Sequence, residues 1–170
     1  MINENGVYPD PKKIEAIKNF PVPRNQKNIK QFLGLASYYY RFIGSFSNIV
    51  KLLTNLLKNE GEFKWNQKEQ DSFSTLKNML CKESVLQYPD FSKSFVVTTD
   101  ASGTAIGAIL NQGPIGKDRS ISYTSRVLNN AEKNYSTIEK ELLAIVYAVR
   151  HFRCYLYKRF IFITDHKRLT

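Results

Sequence analysis

Between Phe95 and Thr164 the chain reads as five elements whose order restricts the topology. Phe95-Val96-Val97-Thr98-Thr99 and Phe160-Ile161-Phe162-Ile163-Thr164 are rich in β-branched and aromatic residues and read as the first and fourth strands. Ala105 to Gln112, containing Gly107, is the second strand. Gln112-Gly113-Pro114 opens a turn lasting to about Arg119, and Ile121-Ser122-Tyr123-Thr124 is the third strand. A long helix runs from about Ser136 to Tyr155. On it Leu142, Ile145, Val149 and Phe152 recur at spacings 3, 4, 3 and predict the buried face. Three sequential strands make an antiparallel meander. The helix then crosses over to a fourth strand, which pairs most simply in parallel with the first.

The residues before Tyr88-Pro89-Asp90 have a different period. Asp10-Pro11 reads as an N-cap followed by proline at the first helical position, with Ile14 and Ile17 as a short apolar stripe. Pro21-Val22-Pro23 ends that helix. The next helix is expected from Gln26 to Gly44, because Ile29, Phe32, Leu33, Ala36, Tyr40 and Ile43 follow the period of one buried face. Lys27, Lys30, Gly34, Tyr38 and Arg41 cluster on another face. Glycine in a helix interior costs about 1 kcal/mol relative to alanine. Gly34 therefore serves either close approach by another backbone or packing against a neighbouring helix. Ile49, Leu52, Leu53, Leu56 and Leu57 mark a third helix. Asn66 with Glu69 resembles a capping box before a fourth, whose Phe73, Leu76 and Leu80 face inward. The expected class is α+β, with a helical unit over 1–88 and a mixed-sheet unit over 89–170.

Composition narrows the function. The 170 residues carry 25 basic and 15 acidic side chains, a net charge of +10. The excess is uneven: from Lys12 to Lys58 nine cations face one acid, Glu15. Such a balance fits either a polyanionic partner or a solubility surface. No apolar run approaches the roughly 20 residues of a membrane span, and no secretory signal is visible at the N-terminus. Cys81 and Cys154 form no CxxC pair, which argues against zinc ribbons and disulfide scaffolds and makes a reducing compartment the default. The expected location is intracellular, cytoplasmic or nuclear.

Two acids close strands whose ends this topology brings together: Asp100 after Thr99, and Asp165 after Thr164. Glu141 lies in the first turns of the crossover helix, on or beside the face that Ile138, Leu142 and Ile145 define, so its carboxylate is expected to turn toward the sheet. A buried carboxylate is costly without a compensating cation. Three converging carboxylates with no His or Cys in the set favour an oxygen-preferring ion such as Mg²⁺. Two such ions about 4 Å apart suit in-line displacement at a phosphodiester. Separate structural duties are the other reading: Asp100 as a turn residue before Ala101-Ser102-Gly103, Asp165 as an N-cap, and Glu141 paired near Lys140 or Arg150. His166 reads as a strand-end structural residue rather than a general base, and His151 as packing beside Phe152. Gly103 and Gly107 match no phosphate-cradling loop.

These blocks resemble a known family. Thr99-Asp100-Ala101-Ser102 with Gly107-Ala108-Ile109-Leu110, then Tyr135 with Glu139-Lys140-Glu141-Leu142-Leu143-Ala144, then Thr164-Asp165-His166-Lys167 resemble the ribonuclease H domain of gypsy-class LTR retrotransposon reverse transcriptases. Phe32-Leu33-Gly34-Leu35-Ala36-Ser37-Tyr38-Tyr39-Tyr40-Arg41-Phe42-Ile43 resembles the thumb helix of the same Pol polyproteins, and Gly6 to Ile14 is similar to the segment leading from palm to thumb. The resemblance implies that Asp100, Glu141 and Asp165 are three of the family's four catalytic, metal-binding carboxylates, holding two Mg²⁺ ions. It implies that Lys27, Lys30, Gly34, Tyr38 and Arg41 contact a primer–template duplex or RNA–DNA hybrid, with Lys30, Gly34 and Tyr38 tracking its minor groove. It also implies a virus-like particle as one cytoplasmic location.

The departures carry expectations of their own. The polymerase palm uses paired aspartates, and this chain contains no Asp-Asp. Fingers and palm, the later part of the ribonuclease H domain and its fourth carboxylate are expected to be missing partners of a partial fold. The chain alone is expected to cleave hybrids weakly or not at all. The rival reading is a non-catalytic nucleic-acid-binding relic of a retroelement.

Overall fold

A computed structural model of the chain describes residues 2–3, 6–58, 63–81, 86–114 and 117–164. A two-stranded ribbon, β1 (Ile2–Asn3) and β2 (Gly6–Val7), precedes α1 (Pro11–Lys18), α2 (Gln26–Ser37), α3 (Phe46–Asn55) and α4 (Gln67–Cys81). Next come β3 (Phe95–Ala101), β4 (Ala105–Gln112), β5 (Arg119–Val127), α5 (Thr137–His151) and β6 (Ile161–Ile163). The larger sheet has the order β5-β4-β3-β6. β3, β4 and β5 form the antiparallel meander, and β6 lies parallel to β3 with Thr98 opposite Ile163. The α+β class and the β-β-β-α-β connection are therefore as the strand order implied.

The caps form where residue chemistry places them. The Asp10 carboxylate accepts from the Lys12 N–H at 3.0 Å, with Pro11 opening the helix. Asn25 caps α2, its side chain accepting from the Asn28 N–H at 2.9 Å. Glu69 accepts from the Asn66 N–H at 3.0 Å before α4. Ser136 and Glu139 complete a reciprocal capping box at α5. The first four helices close on one apolar cluster. Phe32 is its centre, with its ring 4.5 Å from that of Phe73 and 5.3 Å from that of Phe20.

Two periodic readings need correction. The helix expected from Gln26 to Gly44 stops at Ser37, and a single 3-10 turn, Tyr40–Phe42, follows. The buried residue of the tyrosine run is Tyr39, while Tyr40 is exposed. Aromatic side chains lose rotamer freedom in a helix. Here Tyr39 and Phe42 gain more by turning into the core, where the Tyr39 hydroxyl accepts from the Asp10 N–H at 3.2 Å. Ser45, at φ 55°, then turns the chain into α3.

α5 also departs from its apolar periodicity. Its inward face is Glu141, Ala144, Ala148 and Phe152, whereas Leu142 is 44% and Val149 37% exposed. The apolar periodicity of Leu142, Ile145, Val149 and Phe152 is offset by about one residue from the packed face. Small alanines let the helix backbone lie close on the sheet, against Val97, Ile106, Ala108 and Leu110.

The helical and sheet halves are joined. Tyr123 of β5 packs into the helical cluster. Ser125 Oγ accepts from the Ser47 N–H at 3.0 Å. Thr104 Oγ1 donates to Asn48 Oδ1 at 3.2 Å, and the Gln87 N–H donates to the Ser120 carbonyl at 2.9 Å.

Candidate carboxylate site and basic helix face

Asp100 stands near the C-terminal end of β3, exposed, opposite Gly107 of β4. Gly107 has no side chain to cover it. The following turn is held by Ser102, not by Asp100: Ser102 Oγ accepts from the Thr104 and Ala105 N–H groups at 3.3 and 3.0 Å. A turn-forming duty for Asp100 thus loses its support. Asp100 instead lines a hollow of about 130 Å³ with Ser45, Asn48, Thr98, Ser102 and Ser125, where the α3 N-terminus meets the sheet. Sequence reading missed these polar neighbours, because no periodicity reports a junction between distant segments.

Glu141 is 4% exposed. It sits on the α5 face that packs on β3 and β4, flanked along that face by Ala144. Asp165 and His166 lie outside the described residues. The last described residue, Thr164, follows β6, which runs parallel to β3 toward the same end of the sheet as Asp100. Among the described residues no three acid, imidazole or thiol groups converge. The donor chemistry nevertheless fits a hard divalent ion. A buried carboxylate is where a cation offsets desolvation, and an exposed one suits an ion that keeps part of its water shell.

A network the sequence did not announce holds the approach to α5. Arg126 of β5 grips Glu132 through both guanidinium arms, at 2.7 and 2.9 Å. Glu132 also accepts from the Asn129 N–H at 2.9 Å. The Arg126 guanidinium holds the Glu132 carboxyl down at about 2, and Glu132 in turn raises Arg126. Arg126 lies over the Tyr147 ring, 5.5 Å from its centroid, and the Tyr147 and Thr124 hydroxyls are 2.7 Å apart. Sheet, loop and crossover helix are tied together beside Ala144. The Ser136 N–H, donating to Glu139, lowers that carboxyl as well. His151 is exposed, with its ring edge-on to Phe152 at 5.1 Å, and partial desolvation lowers its pKa.

The basic face is exposed along its whole length. Lys27, Lys30 and Gly34 lie on the outer side of α2. Tyr38, still in helical conformation as the C-cap, extends that line and is 66% exposed. The Lys13 ammonium sits 4.0 Å above the Tyr38 ring, adding a cation from α1. Arg41 does not belong to the helix, as the spacing had implied; it is exposed on the 3-10 turn beyond it. A Cβ at Gly34 would meet nothing within 4 Å among the described residues. Packing against any of the described helices therefore does not account for the glycine.

The family model described as an RNase H-like domain found in reverse transcriptase matches residues 65–163, from the start of α4 through β6. The retrovirus-related Pol polyprotein from transposon opus of Drosophila melanogaster is 42% identical over 183 residues, covering all of this chain and 18% of that protein. Those from transposons 412 and gypsy of the same fly are 43% and 39% identical, covering 98% and 100% of this chain. The chain spans less than a fifth of these relatives' lengths. Among solved structures, the foamy viral protease-reverse transcriptase dRH in complex with double-stranded DNA matches at a TM-score of 0.83. The foamy viral protease-reverse transcriptase in complex with RNA/DNA hybrid matches at 0.81. Each is 24% identical and covers 97% of this chain, while the chain covers 29% and 23% of theirs, a likeness of fold. The chain thus belongs to the RNase H-like domain family found in reverse transcriptases, and the relatives it matches are retrovirus-related Pol polyproteins of transposons, gypsy among them.

Proposed function

We propose that this chain is the section of a retroelement reverse transcriptase that holds an RNA–DNA hybrid and contributes to Mg²⁺-dependent hydrolysis of its RNA strand. In this reading residues 1–88 are the thumb and connector, and residues 89–170 belong to the ribonuclease H domain. Asp100, Glu141 and Asp165 bind the metal, and Lys27, Lys30, Gly34, Tyr38 and Arg41 contact the duplex. The observation that carries it is Glu141, a carboxylate turned onto the sheet by the crossover helix. It lies over β3, which carries Asp100 near its C-terminal end and pairs in parallel with β6, the strand that precedes Asp165 in sequence.

When bound, divalent magnesium supplies a more acidic water and charge to offset the scissile phosphate. The protein's part is to present oxygens from a strand end and a rigid helix, with Arg126, Glu132 and Tyr147 fixing that helix against β5. The cations of α1 and α2 attract phosphates, and Gly34 leaves room for a sugar-phosphate backbone. Relatives whose names place them in transposon Pol polyproteins, and a fold relative solved on RNA/DNA hybrid, agree with this assignment.

The test combines two readouts on the 170-residue chain. Mg²⁺ titration followed by thermal unfolding is expected to raise the midpoint, and Asp100→Asn to remove the rise. Hybrid cleavage is expected to be slow, Mg²⁺-dependent and absent in Asp100→Asn, with hybrid affinity retained. Salt-sensitive binding with neither metal response nor cleavage overturns the hydrolytic part and leaves a binding module.

A further inference from the structure

The opposite end of the sheet carries a second cationic surface, separate from the basic helix face. From Leu142 to Thr164 there is no acid, while Arg150, Arg153, Lys158 and Arg159 give four positive charges. All four are exposed. A helix C-terminus favours cations, which explains Arg150 in the last turn of α5. It does not explain Lys158 and Arg159, which lie beyond the helix, nor Tyr157, whose side chain is 84% exposed. The neighbouring residues Tyr155, Leu156 and Phe160 do pack into the sheet cluster and fix this segment in place. Lys158 Nζ donates to the Phe91 carbonyl at 3.2 Å, joining the segment to a loop whose Phe91 is also exposed. Asp90 in that loop is neutralised by Lys93 at 3.0 Å.

We propose that Arg150, Arg153, Tyr157, Lys158 and Arg159, with Phe91 alongside, bind single-stranded nucleic acid continuing from the duplex. Cations for phosphates beside exposed aromatic rings for bases are the two parts of a sequence-tolerant single-strand surface. A duplex offers phosphates but keeps its bases stacked, so exposed rings gain little there. The patch lies at the N-terminal ends of β3 and β6. Asp100 is five steps along β3 from Phe95, roughly 17 Å at 3.3 Å per residue. That distance corresponds to about five base steps at 3.4 Å each. The surface is thus near enough for one strand to reach from the carboxylate end, yet shares no residue with it.

Fluorescence anisotropy with three probes tests this: an oligo-dT, an oligo-U, and a blunt hybrid, each titrated at several salt concentrations. The triple variant Arg150→Ala/Arg153→Ala/Arg159→Ala is expected to lower the single-strand salt slope by about 2 and to weaken single-strand binding at least tenfold. Tyr157→Ala, whose ring lies in solvent, should weaken it about fivefold or more with the slope unchanged, and Tyr157→Phe should restore it. The blunt hybrid should be unaffected by these changes but weakened by Lys30→Ala. Equal loss on hybrid and single strand, no loss on either, or binding only to phosphatidylserine vesicles overturns the proposal. A Lys30→Ala variant that leaves hybrid binding intact overturns the duplex reading instead, without touching this one.

Discussion

Gly34 stands inside a helix with open space beside it among the described residues, and Ser45 turns the chain into α3 at a positive φ. Gly34→Ala adds a methyl into open space, so it should stabilise the helix by about 0.5–1 kcal/mol. If the duplex reading holds, the same change weakens hybrid binding, so thermal unfolding and anisotropy should move in opposite senses. Loss of stability would place an unseen neighbour against the glycine. Ser45 sits at φ 55°, where an L side chain is strained. Ser45→Gly should raise the unfolding midpoint by a few degrees, read by calorimetry. Glu132 gives a pH dependence. Its carboxyl is held at about 2 against an ordinary 4.5 by Arg126. A depressed carboxyl stabilises above its unfolded value, and the contribution is lost as pH falls from about 4.5 toward 2. The urea-midpoint difference between the native chain and Glu132→Gln should therefore be present at pH 6 and shrink through that window. A difference that holds constant down to pH 2 would exclude the pairing. None of these residues was marked by the apolar pattern, which reports burial and not backbone strain or pairing.

Elements follow their caps and breakers more faithfully than their apolar spacing. Asp10-Pro11, Asn25 and the Ser136–Glu139 box start helices because a side-chain oxygen next to free N–H groups is a local event. Which face a helix buries is decided by the surface it lands on. α5 has large apolar residues on more than one side, and the sheet accepts the side with alanines. Leu142→Gln should therefore cost less than about 0.5 kcal/mol. Ala148→Leu, on the packed side, should cost about 1–3 kcal/mol through overpacking. Urea denaturation of the two variants checks the order, and the reverse order would restore the periodic reading. The same displacement makes Glu141 a member of the buried face rather than its neighbour. The break of α2 after Ser37 has a similar origin: Tyr39 and Phe42 reach the core only if the helix ends.

At the scale of the whole molecule, the two halves share an interface around Tyr123, Gly44, Ser47 and Ser125. Tyr123→Ala should cost on the order of 2–3 kcal/mol and uncouple the halves. A single unfolding transition in the native chain would then become two in the variant, read by near-UV and far-UV circular dichroism together. Coincident transitions in both proteins would show that Tyr123 is not the coupling residue. The hollow beside Asp100 exists only because of this contact, since Ser45 and Asn48 come from one half and Asp100 from the other. Legible in the sequence, unlike the β1–β2 ribbon, were the order of elements from α1 to β6, the Asp10 and Asn66–Glu69 caps, the charge excess and the strand-end position of Asp100. All of these depend on residues near one another along the chain, where propensity, hydrogen bonding and charge act locally. Tertiary structure alone decided which face of α5 turns inward, where α2 ends, that Gly34 meets open space, and that Arg126, Glu132 and Tyr147 lock together. Those outcomes depend on which distant surfaces meet, and packing free energy is gained only when they do.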